Sequence, residues 1–206
     1  MNSQAEEEQA FESLFRVFNF ISPVSYAFTE RVRTYLRPET HPKKTILLQE
    51  GNIARKIYFI CKGFARSFYI DRDGREHTLW FMGGGDLMLS VYGFYRQQPA
   101  AENIELLEDS MLLSLTWELV QTVYKDFPEF NFHGRLLTEK YYLQSEERAI
   151  LLRTRNPAAR YASLMATHPE ILQKAPLKDI ASYLNINQET LSRIRAQRPP
   201  KNTKQL

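Results

Sequence analysis

The stretch from Thr45 to Leu115 constrains the fold most. Six short apolar runs rich in β-branched and aromatic residues follow one another: Thr45–Gln49, Lys56–Cys61, Phe64–Ile70, His77–Met82, Asn103–Leu107 and Ser110–Leu115. Turn signals separate them at Glu50-Gly51-Asn52, Lys62-Gly63, Asp71-Arg72-Asp73-Gly74 and Gly83-Gly84-Gly85-Asp86. The Asp73-Gly74 step between two apolar runs signals a hairpin. Strands this short at regular spacing build a sandwich, a barrel or a jelly roll. Three consecutive glycines supply pliable backbone with free N–H groups, suited to an anion or to a bend.

Both flanks of this region read as helical. Phe11, Leu14, Phe15 and Phe18 recur at helical spacing over residues 3–20, and a second helix is expected over 26–36, closed by Pro38. Downstream, Trp117–Lys125 forms one short helix, and Pro128 opens a long one. Glu129–Thr154 holds no proline and a single glycine. Leu136, Leu143 and Ile150 stand seven apart on it, which fits either a partner helix or packing on the chain's own β region. Asn156 caps a further helix beginning at Pro157, with Ala158, Tyr161, Leu164 and Met165 on one face, ended by His168-Pro169. The tail Arg198–Leu206 reads as frayed.

Charge divides the chain. Residues 1–147 carry 16 Lys/Arg against 21 Asp/Glu, a net of −5, whereas residues 148–206 carry 11 against 3, a net of +8. A compact basic C-terminal third is the electrostatic footprint of a nucleic-acid binder. Aromatics divide the same way: all 13 Phe and both Trp lie between Phe11 and Phe132. The expected organisation is therefore a thick-cored region at 1–127, a long helix at 128–155 and a small helical module at 156–206.

Several function classes are set aside. No run approaches the roughly 18 apolar residues of a membrane span. Met1–Glu12 carries four glutamates and no apolar run follows, unlike a secretory leader. One cysteine, Cys61, cannot form an intramolecular disulfide or a cysteine-only zinc or iron–sulfur site. These features point to the cytoplasm. The four histidines are scattered without metal-ligand spacing, and neither a nucleophile elbow nor a phosphate loop is present. No metal, catalytic residue or enzymatic activity is expected. Cys61 sits in an apolar run and reads as an inert thiol, and Trp80-Phe81-Met82 reads as core.

Pro176–Arg195 is the most informative segment. Leu177, Ile180, Ala181 and Leu184 follow i, i+3, i+4, i+7, with Asp179 near the helix start. Asn185 tolerates the left-handed conformation that ends a helix, and Asn187 can cap a second one beginning at Gln188. Two short helices joined by three or four residues make a helix-turn-helix. On the second helix, 188–197, Glu189, Ser192 and Arg193 fall on one face, and Leu191 and Ile194 on the other. An acceptor, a hydroxyl and a fork donor near a helix N-terminus are the groups that read base edges in the major groove. A plain Glu189–Arg193 surface pair is the alternative.

The run Ile180-Ala-Ser-Tyr-Leu … Glu189-Thr-Leu-Ser-Arg-Ile-Arg195 resembles the helix-turn-helix of the catabolite-activator/fumarate-nitrate-regulator (Crp/Fnr) family. Ile57-Tyr-Phe-Ile-Cys-Lys-Gly63, Asp73-Gly74 and Gly85-Asp86-Leu87 resemble that family's cyclic-nucleotide-type β-roll. The resemblance implies an α+β chain: a jelly-roll sensor with flanking helices, a long dimerisation helix and a winged or wing-reduced helix-turn-helix. It implies a homodimeric transcription regulator whose partners are double-stranded DNA, a second copy of itself and RNA polymerase. Gln188, Glu189, Ser192 and Arg193 match base-contacting positions and Thr190 a backbone-facing one; Lys178, a phosphate contact, and Arg195 complete the DNA-binding set.

The phosphate cassette departs from the family pattern. Gly85-Asp86-Leu87 carries a shorter carboxylate, and Gln97–Glu102 stands where an arginine pair is expected. A buried phosphate beside an unpaired Glu102 is costly. Only Arg66 or Arg96 could substitute as pocket cations for a cyclic nucleotide, so a different ligand, or none, is expected. Four cysteines for an iron–sulfur cluster and haem ligands are lacking. A ligand-binding signalling module without sequence-specific DNA binding is the rival reading.

Overall fold

The computed structural model describes residues 2–197. The chain opens with two helices, α1 (Asn2–Ile21) and α2 (Tyr26–Tyr35). Eight strands follow: β1 (Pro38–His41), β2 (Ile46–Leu48), β3 (Lys56–Lys62), β4 (Phe64–Ile70), β5 (Glu76–Gly83), β6 (Leu87–Met88), β7 (Asn103–Leu106) and β8 (Ser110–Thr116). A short α3 (Val91–Arg96) interrupts them. They form two antiparallel four-stranded sheets, ordered β1-β8-β3-β6 and β2-β7-β4-β5, the β-roll that the family resemblance implies and one of the forms the strand spacing allows. After the roll come α4 (Trp117–Asp126), the long α5 (Phe130–Thr154), α6 (Pro157–Thr167), α7 (Ile171–Lys174), α8 (Leu177–Tyr183) and α9 (Gln188–Ala196).

The sequence signals act locally as their chemistry dictates. Ser25, Thr116, Asn156 and Asn187 each accept a backbone N–H from the first turn of the helix they precede. Pro157 occupies the first turn of α6. Asn185 adopts φ +52° between α8 and α9, and Ile186 N bonds back to Ala181 O at 3.0 Å, closing the helix end.

Three elements escape the sequence pattern. β1 is a polar Pro-Glu-Thr-His edge strand paired with β8, and proline is tolerated at such an edge. β6 has only two residues, and α3 is a six-residue helix capped by Ser90 around the buried Gly93. The link after α6 is filled by α7, and no strand occurs after β8 among the described residues. The tail Arg198–Leu206 lies outside them.

Aromatic packing binds the helices to the roll. Phe28 of α2 stacks on Phe130 of α5 at 4.7 Å and meets Phe18 of α1 edge-on at 6.0 Å. His133 stacks on Phe130 and its Nε2 lies 2.8 Å from Ser22 O. At the β3–β4 turn, Gly63 takes φ +118°, and a Cβ there would collide with Ser110. Gly63→Ala should therefore lower stability by at least about 1–3 kcal/mol from backbone strain alone. Urea unfolding checks this, and a loss under about 0.5 kcal/mol, as at an ordinary surface site, would contradict it.

Candidate functional site

The exposed face of α9 takes shape from its buried one. Leu191 is fully buried and Ile194 half-buried against the neighbouring helices. That leaves Gln188, Glu189, Ser192, Arg193 and Arg195 exposed, with Thr190 half-buried. Arg193 Nη2 reaches Thr190 Oγ1 at 3.1 Å, one turn back, instead of pairing with Glu189. Asn187 Oδ1 accepts from Thr190 N at 2.8 Å. An acceptor, a hydroxyl and a guanidinium therefore share one solvent-facing surface around the first turns of α9.

The helix before it is anchored to the roll. α8 lies along β5, the edge strand of its sheet, and covers that edge. Thr78 N donates to Ser182 Oγ at 2.8 Å, and Ser182 Oγ donates to Glu76 O at 3.1 Å. Arg148 of α5 donates to the carbonyls of Leu79 (3.1 Å), Thr78 (3.4 Å) and Tyr183 (3.0 Å) and lies over the Tyr183 ring at 4.0 Å. Burial depresses the Arg148 pKa from its ordinary value. Phe64 and Phe81 stack at 5.7 Å and share one apolar cluster with Tyr161, Leu164, Ile180 and Leu191.

Arg66 is the centre of this seam. Its side chain is 4% exposed and lies 4.1 Å from the centroid of the Phe68 ring. Nη1 donates to Asp179 Oδ1 of α8 at 2.8 Å, Nη2 to Glu76 Oε2 at 2.7 Å, and Nε to Glu105 Oε2 at 2.9 Å. Glu105 stands directly opposite Arg66 in the β4–β7 ladder. Burial pushes the Asp179 carboxyl above the usual carboxylate range despite Arg66 beside it. Burial acts the same way on Glu76, but Arg66 and Lys178 outweigh it and hold that group below its usual value. Lys178 Nζ sits 3.4 Å from Glu76 Oε2 on a side chain that stays 61% exposed, so this expected phosphate contact leans on the roll and remains open to solvent.

A cavity of about 360 Å³ lies between the roll and α5, lined by Ser67, Trp80, Met82 and Leu87 of the strands and by Leu137, Thr138 and Tyr141 of the helix. The two arginines expected to reach such a pocket are elsewhere. Arg66 points from the opposite face of β4 into the seam, because successive residues of a strand, here Arg66 and Ser67, face opposite ways. Arg96 is exposed at the end of α3, 6.0 Å from the Tyr92 ring centroid. Of the cassette, Leu87 lines the cavity but Gly85 and Asp86 do not. Asp86 Oδ2 accepts from Gly83 N at 3.1 Å and fixes the glycine turn, with Lys140 at 3.6 Å from its other oxygen. Tyr141 OH accepts from Leu87 N at 2.9 Å. Glu102 is half-buried against the hydroxyls of Ser90 and Ser67, and burial raises its pKa.

The sequence pattern places Trp80-Phe81-Met82 in the core. Phe81 is core, whereas Trp80 and Met82 line the cavity, as alternation along β5 allows. The helix pattern gives Asp179 only the helix dipole, and gives Ser182 and Arg148 no role. All three hold the seam; Asp179 lies off the apolar stripe of α8, so helical periodicity carries no signal for it. Cys61 is half-buried and burial pushes its thiol pKa up to about 11, consistent with an unreactive thiol.

Comparison with known proteins fits this geometry. Residues 38–127 match the family described as the cyclic nucleotide-binding domain. The chain is 26% identical over 165 residues to regulatory protein HlyX of Actinobacillus pleuropneumoniae, covering 74% of this chain and 67% of that protein. Its fold superposes on FixK2 of Bradyrhizobium japonicum with a TM-score of 0.68 at 20% identity, over 79% of this chain and 83% of that one. It also superposes on a regulator assigned to the Crp/Fnr family from Eubacterium rectale, with a TM-score of 0.66 at 19% identity, over 83% and 82%. The fold is the one these solved structures share, a β-roll followed by C-terminal helices. Residues 38–127 span β1 to α4, so the strands of the cavity wall lie in the matched region, whereas α5 lies outside it.

Two outcomes test the site. Arg66→Met strands three carboxylates, whereas Asp179→Asn leaves Arg66 two partners. The first should cost about 3–5 kcal/mol, as when one partner of a buried pair is removed, and the second distinctly less. Chemical denaturation of both variants checks the order. Glu102→Gln should raise the melting temperature at neutral pH and lose that advantage as pH falls through the raised folded-state value toward the ordinary carboxylate value of about 4.3. The sign follows from linkage: a carboxyl raised in the folded state binds protons more readily than in the unfolded one, so its ionisation weakens the fold as pH rises. Melting curves for both proteins across that range check it.

Proposed function

We propose that this chain is a DNA-binding transcription regulator that reads an inverted-repeat operator as a homodimer through α9. The β-roll acts as its effector domain, with a degenerate phosphate cassette. The observation that carries the reading is the solvent-facing set Gln188, Glu189, Ser192 and Arg193 held over the buried Leu191. Arg193 can take guanine O6 and N7 bidentately, and Glu189 can accept from cytosine N4. Thr190 and Lys178 address the backbone, and Arg195 adds charge along the same helix. The three-part organisation, 1–127, 128–155 and 156–206, supports a sensor, a connecting helix and a reader.

Dimerisation is supported by α5. One face packs on the chain's own roll through His133, Gly134 and Leu137. The other leaves Leu143 59% and Ile150 58% exposed, two of the three residues spaced seven apart. An apolar stripe at that period on a 25-residue helix suits a parallel partner helix. Two-fold symmetry sets the half-sites about 34–36 Å apart. Double-stranded DNA, a second copy and RNA polymerase are the partners of this reading. No helix among the described residues is long and apolar enough to cross a membrane, which suits a cytoplasmic regulator.

Fluorescence anisotropy against a pool of inverted-repeat duplexes, with random-sequence competitor, tests it. Arg193→Ala should lose about 1–3 kcal/mol at one base position, whereas Lys178→Ala should weaken all sequences alike. Equal losses on operator and random DNA for Arg193→Ala would refute base reading. Leu143→Glu combined with Ile150→Glu should convert the dimer to a monomer by sedimentation and remove operator binding.

A further inference from the structure

The wall of the cavity between the roll and α5 contains no Lys, Arg, His, Asp or Glu. Trp80 and Met82 of β5, Leu87 of β6 and Leu137 of α5 give it an apolar, polarizable surface. Its polar atoms are neutral: Ser67 Oγ, Thr138 Oγ1 and the hydroxyls of Tyr124 and Tyr141 among them. Its volume, about 360 Å³, lies in the range that holds small ligands, roughly 300–1,000 Å³.

We propose that this cavity takes an uncharged, largely apolar small molecule as the effector. Three observations converge on that class. A charged group placed inside would lose its hydration without meeting an opposite charge, and that cost is large. An anion fares worst, because the carboxyl of Glu102 stands behind the Ser67 hydroxyl and contacts it. The two cations that could have answered an anion are committed elsewhere, Arg66 to three carboxylates and Arg96 to the surface of α3. An apolar molecule removes wall surface from water and fills space in a core that otherwise lacks packing partners. Its polar handle finds neutral hydroxyls. Ser67 is the next residue along β4 from Arg66, so a ligand against Ser67 touches the strand that holds α8. The inference rests on the roll being the effector domain, and ligand binding is measured without DNA so that the two readings fail separately.

The probe is N-phenyl-1-naphthylamine, a neutral fluorophore that brightens in apolar sites, titrated into the full chain. We expect saturable binding of one probe per protomer, with energy transfer from Trp80. Trp117 stands one helical turn from Val120 and Gln121 of the wall and transfers energy too, so the readout is taken in Trp117→Phe, where saturating probe should quench nearly all Trp80 emission. Met82→Trp should weaken binding about tenfold or more, a shift of about 1.4 kcal/mol. 1-Decanol should displace the probe, decanoate should do so about tenfold less well, and cyclic AMP should not compete. If Met82→Trp fails to fold, the Trp117→Phe result and the decanol–decanoate contrast decide. Decanoate matching decanol, displacement by cyclic AMP, or Trp80 emission left largely unquenched in Trp117→Phe would overturn the proposal. So would an absence of probe binding, which would mean that a second copy of the chain or its own side chains close the cavity.

Discussion

One guanidinium holds the two ends of this molecule together. Arg66 is buried, and it is bonded to carboxylates from β5, β7 and α8 at once. Arginine suits the position because its planar fork offers donors in several directions and keeps its charge when desolvated. A buried charge is tolerated only when paired and hydrogen-bonded, so the network works as a unit. The α8–β5 contact, the alignment of α9 and the apolar cluster around Phe81 all follow the position that Arg66 gives to Asp179.

The placement of charge on either side of β4 separates two tasks. Arg66 faces outward and carries the ionic contact to the helix-turn-helix. Ser67 faces inward and belongs to a wall without charge. A roll built to seize a phosphate needs the reverse arrangement, a cation inside. Here the inward-leaning carboxyl belongs to Glu102, and neutral hydroxyls satisfy it. Tyr141 ties the wall to α5 through the Leu87 amide. The same long helix then supplies Arg148, which bonds carbonyls of both β5 and α8. Cavity, long helix and α8 are therefore joined by short, directional hydrogen bonds.

Much of this was legible in the sequence because it is local. Strand runs bounded by Gly and Asp, Asn caps before α6 and α9, and the left-handed Asn185 are decided within a few residues. The two faces of α9 follow from helical geometry alone. Short or polar elements were not legible: β1 exists because β8 offers it an edge, and β6 because β3 does. The seam was hidden for a different reason. Arg66 and Asp179 are 113 residues apart, and nothing near either one announces the other. Arg66 was expected in the pocket because it is a cation on a sensor strand. Strand alternation, read from its neighbour Ser67, is what excludes it.

The apolar cluster that includes Phe81 has a consequence for how the chain is made. Phe64, Phe81 and Leu107 of the roll share that core with Tyr161, Leu164, Ile180 and Leu191 of the C-terminal helices. Synthesis runs from the N-terminus, and domains fold in that order. The roll therefore leaves the ribosome first and presents a finished aromatic surface. The helices α6 to α9 emerge afterwards and condense on that template, so the C-terminal helices are moulded by the roll.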